Sequence, residues 1–179
     1  MRARPMGACV VFATRYGNTE KIARAFGAGL EGAGIQTICL NARDVAAESL
    51  KHYDLICIGA PTEWHTSSKP MKEFLRQLKG ADLAGKHAFA FDTKLRQPLS
   101  GSAAKFIEKE LKRLGLQILT ARESASVHTT TRGVAGATLE EGEEQRFEQI
   151  GASVGAALRA TLPELERSGG GSTNPMHRD

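Results

Sequence analysis

A short turn rich in hydroxyl and amide side chains, Thr14–Thr19 (TRYGNT), separates an apolar run from a segment with helical spacing. The first four backbone N–H groups of a helix have no partner inside it. Gly17 and Asn18 tolerate unusual backbone angles, so the turn can direct several of these groups toward one point. Together with the helix dipole and the side chains of Thr14, Asn18 and Thr19, they would bind an anion. This chemistry suits a phosphate monoester and requires no lysine.

The same turn has a simpler interpretation. Asn18 or Thr19 could cap the helix through its side-chain oxygen and bind no ligand, because such caps are common. The rest of the chain has to decide between a cap and a phosphate site.

Other patterns that could do chemistry favour structural interpretations. Cys9, Cys39 and Cys57 lie in apolar runs without CxxC or Cys/His spacing, so we expect reduced core thiols. The five histidines have no spacing typical of metal ligands, and we predict neither a metal site nor a catalytic residue. The segment 27–32 spells GxGxxG but lies at the end of a predicted helix. We therefore interpret its glycines as helix termination and close packing, not as a dinucleotide site.

Composition indicates one globular domain. The chain has 179 residues, of which 41% are hydrophobic and 25% charged, which excludes disorder of the whole chain. No apolar run approaches the ~20 residues of a membrane span, and Ala8–Ala13 is too short for a signal peptide, so we expect a cytoplasmic protein. The net charge of +4 is scattered over helix faces and aromatic residues make up only 6%, so we expect no nucleic-acid or membrane partner.

The apolar pattern predicts a sheet buried on both faces. Continuous β-rich runs occur at 8–14, 35–40, 55–60, 87–92 and 116–121. Strands of a parallel sheet covered by helices have this pattern. The segments between them have helical spacing, as with Ile22, Phe26 and Leu30. We therefore predict a doubly wound α/β fold with right-handed crossovers.

Less regular segments surround this core. We expect an N-terminal arm at 1–6, a single domain at 7–162 and a disordered tail at 163–179. The segment Ser124–Thr138 is rich in Ser, Thr, Gly and Ala. We predict that it forms a long surface loop between the last strand and the last helix.

The segment Val10–Ala23 (VVFATRYGNTEKIA) resembles the signature of the flavodoxin family. The matching positions are Val10, Val11, Phe12, Thr14, Gly17, Thr19 and Ala23, and the similarity extends to five β/α units over about 8–158. The resemblance implies a doubly wound, five-stranded parallel sheet of order 2-1-3-4-5 with helices on both faces. It also implies FMN at the carboxyl ends of the strands. The residues that would hold the FMN phosphate are Thr14, Arg15, Tyr16, Gly17, Asn18 and Thr19.

The same resemblance implies that two loops hold the flavin ring. The loop after the third strand contains Pro61, Thr62, Glu63, Trp64 and His65. Trp64, the sole tryptophan, would stack on the ring, exclude water and lower the reduction potential, with His65 as the alternative ring contact.

The loop after the fourth strand begins with Asp92, Thr93 and Lys94, whose backbone N–H groups would face the pyrimidine edge of the flavin. An ordinary turn that caps the following helix, with Ser100 or Ser102 at the N-cap, is compatible with this contact.

The chain departs from the family pattern in three ways. Residues 93–101 include no aromatic to cover the second face of the ring, and no glycine lies between Pro61 and Pro70 to ease a peptide flip. The chain is also basic where the family is usually acidic. A basic rim would steer acidic redox partners, and its predicted members are Lys69, Lys72, Lys94 and Arg96.

These observations favour an FMN-binding carrier that shuttles electrons between redox partners and needs no nucleophile or general base. One alternative is an FMN-dependent NAD(P)H or quinone-type reductase, with Ser124–Thr138 as a lid over the uncovered ring. Another is a flavin-free interaction module on the same fold. We expect a monomer or a weak homodimer.

Overall fold

Strands and helices alternate along most of the chain, as the apolar pattern predicts. The computed structural model describes residues 4–129 and 136–162. Its strands are β1 (Gly7–Phe12), β2 (Gln36–Asn41), β3 (Leu55–Glu63), β4 (Thr66–Ser67), β5 (His87–Leu95), β6 (Gln117–Ile118), β7 (Glu123–His128) and β8 (Thr138–Leu139). Its α-helices are α1 (Asn18–Gly32), α2 (Lys69–Gln77), α3 (Ala103–Arg113) and α4 (Glu143–Ala160). Short 3-10 helices occupy Ala47–His52 and Leu78–Gly80.

The predicted sheet order is confirmed. The path runs β2-β1-β3-β5-β7, with every neighbouring pair parallel, so the third, fourth and fifth strands of the prediction are β3, β5 and β7. Val10 sets the central register, since it lies opposite Cys39 on one side and Cys57 on the other. Two short antiparallel strands add to this pattern: β8 extends the edge beyond β7, and β4 pairs with the end of β3.

Both faces of the sheet are buried because successive side chains of each strand enter different cores. Val10 and Phe12 of β1 pack with α1 and α4, whereas Val11 packs with α2 and α3. On the first face, the rings of Phe26 and Phe89 stack with their centroids 4.9 Å apart. No helix in the described ranges is long and apolar enough to cross a membrane.

The prediction for the fifth strand was wrong in position. Within 116–121 only Gln117–Ile118 forms a strand, and it pairs with the start of β5. The chain then leaves the sheet and returns as β7, which pairs with the second half of β5. The prediction of a surface loop over Ser124–Thr138 was wrong at both ends of the segment, since residues 124–128 belong to β7 and Thr138 begins β8. Residues 130–135 lie outside the described residues. The small residues of β7 hid a period-2 pattern in which Ala125 and Val127 are buried.

The third and fourth strands are longer than predicted. β3 runs to Glu63 and β5 to Leu95, so Pro61–Glu63 and Asp92–Lys94 are strand residues and not loop residues. The extra length follows from pairing, because β4 folds back on the end of β3 and β7 lies against the end of β5. Polar side chains at these positions had suggested loops.

The arm and the tail fall largely outside the described residues, namely at 1–3 and 163–179. Within 4–6, Arg4 forms an ion pair with Asp54 at 2.6 Å, and Met6 packs against the core. The three cysteines are free thiols. Burial raises the pKa of Cys9 to about 12, so this thiol stays protonated and unreactive at neutral pH.

The GxGxxG segment lies inside α1 and serves helix packing, as predicted. A Cβ at Gly29 would overlap the carbonyl oxygen of Glu148, and one at Gly151 would overlap that of Phe26. Helices α1 and α4 therefore touch backbone to backbone. Gly32, the last residue of α1, has open space around it.

This contact predicts opposite effects for two glycines of the same helix. Gly29→Ala should lower the free energy of unfolding by about 2 kcal/mol, because the new methyl group forces α1 and α4 apart. Gly32→Ala, the matched control, should be neutral or stabilise by about 0.5 kcal/mol through helix propensity. Urea denaturation followed by circular dichroism measures both. Equal stabilities for the two variants would contradict the packing described here.

Candidate functional site

The carboxyl ends of β1, β3, β5 and β7 meet at one edge of the sheet, where a cavity of about 300 Å³ opens. This volume is in the range of small-molecule sites. Ten of the fourteen predicted site residues line it: Thr14, Arg15, Tyr16, Asn18, Thr19, Pro61, Thr62, Glu63, Thr93 and Lys94. The other four, Gly17, Trp64, His65 and Asp92, are not part of its walls. The fold thus brings most of the predicted residues together.

Gly17 makes the turn from β1 into α1. It is the N-cap of α1 and has a φ of 83°, in the left-handed region that glycine adopts without strain. Neither Asn18 nor Thr19 caps the helix, so the simpler interpretation of the turn was wrong in that respect. Asn18 instead donates from Nδ2 to the carbonyl of Ala137 at 2.7 Å, and the Thr19 hydroxyl lies 2.9 Å from that of Thr93.

The turn leaves backbone donors open beside the cavity. The Gly17 N–H donates to Oγ1 of Thr14 at 3.0 Å. The next two N–H groups, those of Asn18 and Thr19, have no acceptor among the described residues. Both residues line the cavity at the positive end of the α1 dipole. Open donors in this position fit a phosphate monoester, so the geometry agrees with the group that the resemblance implies.

A strained hairpin follows the β3 wall. Trp64 and His65 connect β3 to β4, and their φ angles are 47° and 66°. A two-residue hairpin turn favours positive φ at both positions, where glycine or asparagine is the usual choice. Each bulky residue there costs about 1–3 kcal/mol, and Trp64 is also 94% exposed. A strained turn that exposes a large ring lowers stability, so Trp64 and His65 are candidates for a role in function.

The loop after β5 packs directly on this hairpin. Gly101 forms a bridge with His65 and has a φ of 71°. A Cβ at Gly101 would overlap the His65 backbone, so only glycine permits this approach. Leu99, two residues earlier, is 83% exposed. This contact fixes the Trp64–His65 turn relative to the loop after β5, and these are the two segments predicted to hold the flavin ring.

Asp92 organises the base of the site. It is fully buried, and its Oδ2 accepts from the hydroxyls of Thr62 at 3.1 Å and Ser102 at 2.7 Å, and from the Ala104 N–H at 2.9 Å. Ser102 is the N-cap of α3 and accepts from the Lys105 N–H, as the alternative interpretation of this loop predicted. The carboxylate thus joins β3, β5 and the start of α3.

The residues expected to contact the pyrimidine edge of the flavin, Asp92–Lys94, belong to a strand and not to the predicted loop. These residues lie in β5 and are in register with β7. Thr93 and Lys94 line the cavity, so their side chains as well as their backbone are near it. The contact itself stays a prediction.

Residues of β7 and those just before β8 form a cavity wall that the predicted site residues did not include, although Ser124–Thr138 had been considered as a lid. The cavity residues absent from the prediction are Leu95, Val127, Thr129, Gly136 and Ala137. The weak alternation of Ala125 and Val127 was the one available signal.

Strand β7 is held to α4 by Glu143, which accepts from the Ser126 N–H at 2.9 Å and pairs with Arg146 at 2.9 Å. Burial opposes ionisation of Glu143, but the hydrogen bonds from Arg146 and the Ser126 N–H outweigh it and lower the pKa of the carboxyl.

The charges on the walls favour an anion. Arg15 and Lys94 are the cationic lining residues, and Glu63 is the acidic one among them. The guanidinium of Arg15 lies 5.2 Å from the centre of the Tyr16 ring.

The comparisons with known proteins agree with this geometry. The family model described as Flavodoxin matches residues 10–150. A flavodoxin from the domain Archaea has a TM-score of 0.70 and 23% identity, over 86% of this chain and 99% of that one. Oxidised Flavodoxin 1 from Bacillus cereus has a TM-score of 0.70 and 20% identity, over 88% of this chain and 99% of that one.

A longer protein contains a similar fold. The flavodiiron core from Synechocystis has a TM-score of 0.71 and 19% identity, over 89% of this chain and 38% of that one. No curated protein matches the chain in sequence. The match to the family model covers most of the 179 residues, and the observed strand order is the one the family implies. The chain therefore belongs to the flavodoxin family.

Proposed function

We propose that this protein binds FMN in the 300 Å³ cavity and carries electrons between redox partners. The observation that carries the proposal is the pair of open N–H groups of Asn18 and Thr19 at the start of α1. When bound, the flavin would supply reversible electron transfer. The protein would bind and orient it, and would need no nucleophile or general base for this task.

Each wall has a separate task in this proposal. The Thr14–Thr19 turn would bind the phosphate through N–H groups that exist before the ligand arrives, so little ordering would be needed on binding. The ends of β3 and β5 would fix the ring, because Asp92 ties both strands to α3. The turn of Trp64 and His65 would shield one face of the ring from water.

The surface charge supports an acidic redox partner. Lys94 lies in the cavity wall, Arg96 is exposed just after the end of β5, and Lys69 is exposed at the start of α2. Complementary charges raise the rate of encounter more than the final affinity, so partner association should slow as salt screens them. Lys72 was also predicted for this rim. Its Nζ lies 5.6 Å from the centre of the Phe106 ring, so its charge contacts that ring of α3.

The reductase remains a second candidate because of the loop after β5. Where an aromatic side chain could cover the ring, this loop presents the exposed Leu99. A face left open in this way would suit a small electron donor or acceptor. Steady-state oxidation of NADPH with a quinone, by purified FMN-loaded protein without any partner, would identify a reductase.

Gly17 provides the sharpest test of the phosphate turn. Gly17→Val should weaken FMN binding at least tenfold, because a β-branched residue disfavours the φ of 83° that aims the N–H groups. No atom lies within 4 Å of the added Cβ, so the loss would come from the backbone and not from a clash within the protein. Quenching of FMN fluorescence gives the dissociation constant.

Gly142→Val is the matched control for this prediction. Gly142 is the N-cap of α4, has a φ of 84° and also has open space at its Cβ, but it does not line the cavity. Its replacement should cost similar stability and leave FMN affinity unchanged. Equal FMN affinities for the two valine variants would refute the assigned role of Gly17.

Trp64 provides a test of the ring site. Trp64→Ala should weaken FMN binding about fivefold, the effect of losing about 1 kcal/mol of stacking, and should shift the reduction potential. Because the side chain is 94% exposed, the melting temperature of the flavin-free protein should not fall. His65→Ala is the comparison variant. If it weakens FMN binding while Trp64→Ala does not, His65 is the ring contact.

A further inference from the structure

The helices on one side of the sheet carry the excess positive charge of the chain. Helices α2 and α3 pack on the same core, and Lys72 of α2 lies over the Phe106 ring of α3. Together with the 3-10 turn Leu78–Gly80, they carry eight Lys or Arg and three Glu. Helices α1 and α4, on the other side, carry four Lys or Arg and five Glu. We call the surface of α2, this turn and α3 the α2–α3 face, and it is strongly basic where the opposite side is not.

A groove of about 500 Å³ lies against α3 on this face. All six of its lining residues are charged and five are cations, namely Lys105, Glu108, Lys109, Lys112, Arg113 and Arg122. Lys105, Lys109 and Lys112 follow one another at helical spacing, so they form a row along α3. The groove shares no lining residue with the first cavity. The concentration of charge here is therefore independent of the proposed flavin site.

A single recessed carboxylate fixes two of these cations. Glu108 is 9% exposed and accepts from Nζ of Lys112 at 2.8 Å and from Arg122 at 3.5 Å. Burial opposes ionisation of Glu108, but the hydrogen bond and charge of Lys112 and the charge of Arg122 outweigh it and lower the pKa of the carboxyl. Lys105 and Lys109 are exposed, and neither forms an ion pair with a described residue. These two ammonium groups are open to carboxylates from outside the chain.

The chemistry of the α2–α3 face favours a protein partner over a membrane or a nucleic acid. No large hydrophobic side chain of α2 or α3 is exposed, so the face has nothing to insert into a lipid surface. Glu73 and Glu110 lie among the cations, where they would repel the continuous phosphates of a nucleic acid. A folded protein can place separate carboxylates opposite the unpaired cations and avoid these glutamates.

We infer that the α2–α3 face is a docking surface for an acidic protein, with Lys105 and Lys109 as its principal contacts. Both helices begin beside the first cavity, because β4 leads from the end of β3 into α2 and Asp92 accepts from the N-cap residue of α3. A protein docked here would lie beside the flavin, and in that respect the inference rests on the proposed function. The docking itself requires no flavin.

A short poly-glutamate peptide tests the inference, because carboxylates are its only side-chain charges. The peptide carries a red fluorophore, which avoids the absorption of the flavin, and fluorescence anisotropy gives its dissociation constant. FMN-loaded protein should bind the peptide. The double variant Lys105→Gln, Lys109→Gln should bind it about tenfold more weakly, through the loss of two ion pairs.

The matched control is the double variant Lys21→Gln, Arg24→Gln, which removes the same charge from α1 on the opposite side of the sheet. It should change the affinity by less than about twofold, because charges at that distance are screened. All four side chains are exposed, so both double variants should keep the melting temperature of the unmodified protein.

Three results would overturn the inference. Equal effects of the two double variants would show that binding follows net charge and not the α2–α3 face. Absence of poly-glutamate binding at low salt, where screening is weakest, would show that the face holds no carboxylates. Tighter binding of duplex DNA or of phosphatidylserine vesicles, lost in Lys105→Gln, Lys109→Gln, would replace the acidic protein by a nucleic acid or a membrane.

Repeating the peptide titration without FMN separates this inference from the proposed function. The difference between the two double variants should persist, because their lysines and arginine lie outside the first cavity. If the protein binds no FMN, the proposed function fails. The same difference would still report on the α2–α3 face.

Discussion

The position of the first turn of α1 is the constraint on which the site depends. In the proposed function, its open N–H groups would bind an anion only if the helix axis points at the cavity. Two contacts fix that axis. Phe26 stacks on Phe89 of the sheet, and the backbone of α1 touches that of α4 at Gly29 and Gly151. The helix cannot rotate without breaking both contacts, and Gly17 completes the geometry by turning the chain sharply out of β1.

The buried carboxylate of Asp92 fixes the cavity wall formed by the ends of β3 and β5. Burying Asp92 without partners would cost several kcal/mol, so its three donors from β3 and α3 are needed to keep it there. Those donors lock the ends of β3 and β5 in register, next to the strained hairpin at Trp64. The protein thus uses a buried polar network to hold rigid walls around a space that faces solvent.

Hydrophobic period predicted most of the fold, and turn chemistry predicted the tight turn at Gly17 between β1 and α1. Continuous apolar runs such as Leu55–Ala60 identified the central strands, because both faces of the sheet are buried. The position of the fifth strand, β7, was predicted wrongly, since its small residues alternate too weakly to distinguish it from a loop. Val127 and Ala137 line the cavity but were absent from the predicted site residues for the same reason, although their segment had been considered as a lid. The network around Asp92 joins residues far apart in the chain, and local pattern holds no information about such pairings.

Two exposed arginines lie on this side of the chain, Arg15 in the wall of the cavity and Arg43 shortly after β2. Both arginines line a smaller cavity of about 220 Å³ that shares Thr14, Arg15, Pro61 and Glu63 with the first. Positive charge on a protein surface raises the rate at which anionic molecules encounter it. The chain thus combines the flavodoxin fold with a formal net charge of +4.

Comparison of FMN with riboflavin tests the central claim most directly, because the two ligands differ only in the phosphate. If the N–H groups of Asn18 and Thr19 hold that phosphate, FMN should bind at least about a hundredfold more tightly, as expected for two charge-assisted hydrogen bonds. Fluorescence quenching of each flavin by the purified flavin-free protein gives both dissociation constants. Equal affinities would contradict the account, because the turn would then contribute nothing to flavin binding.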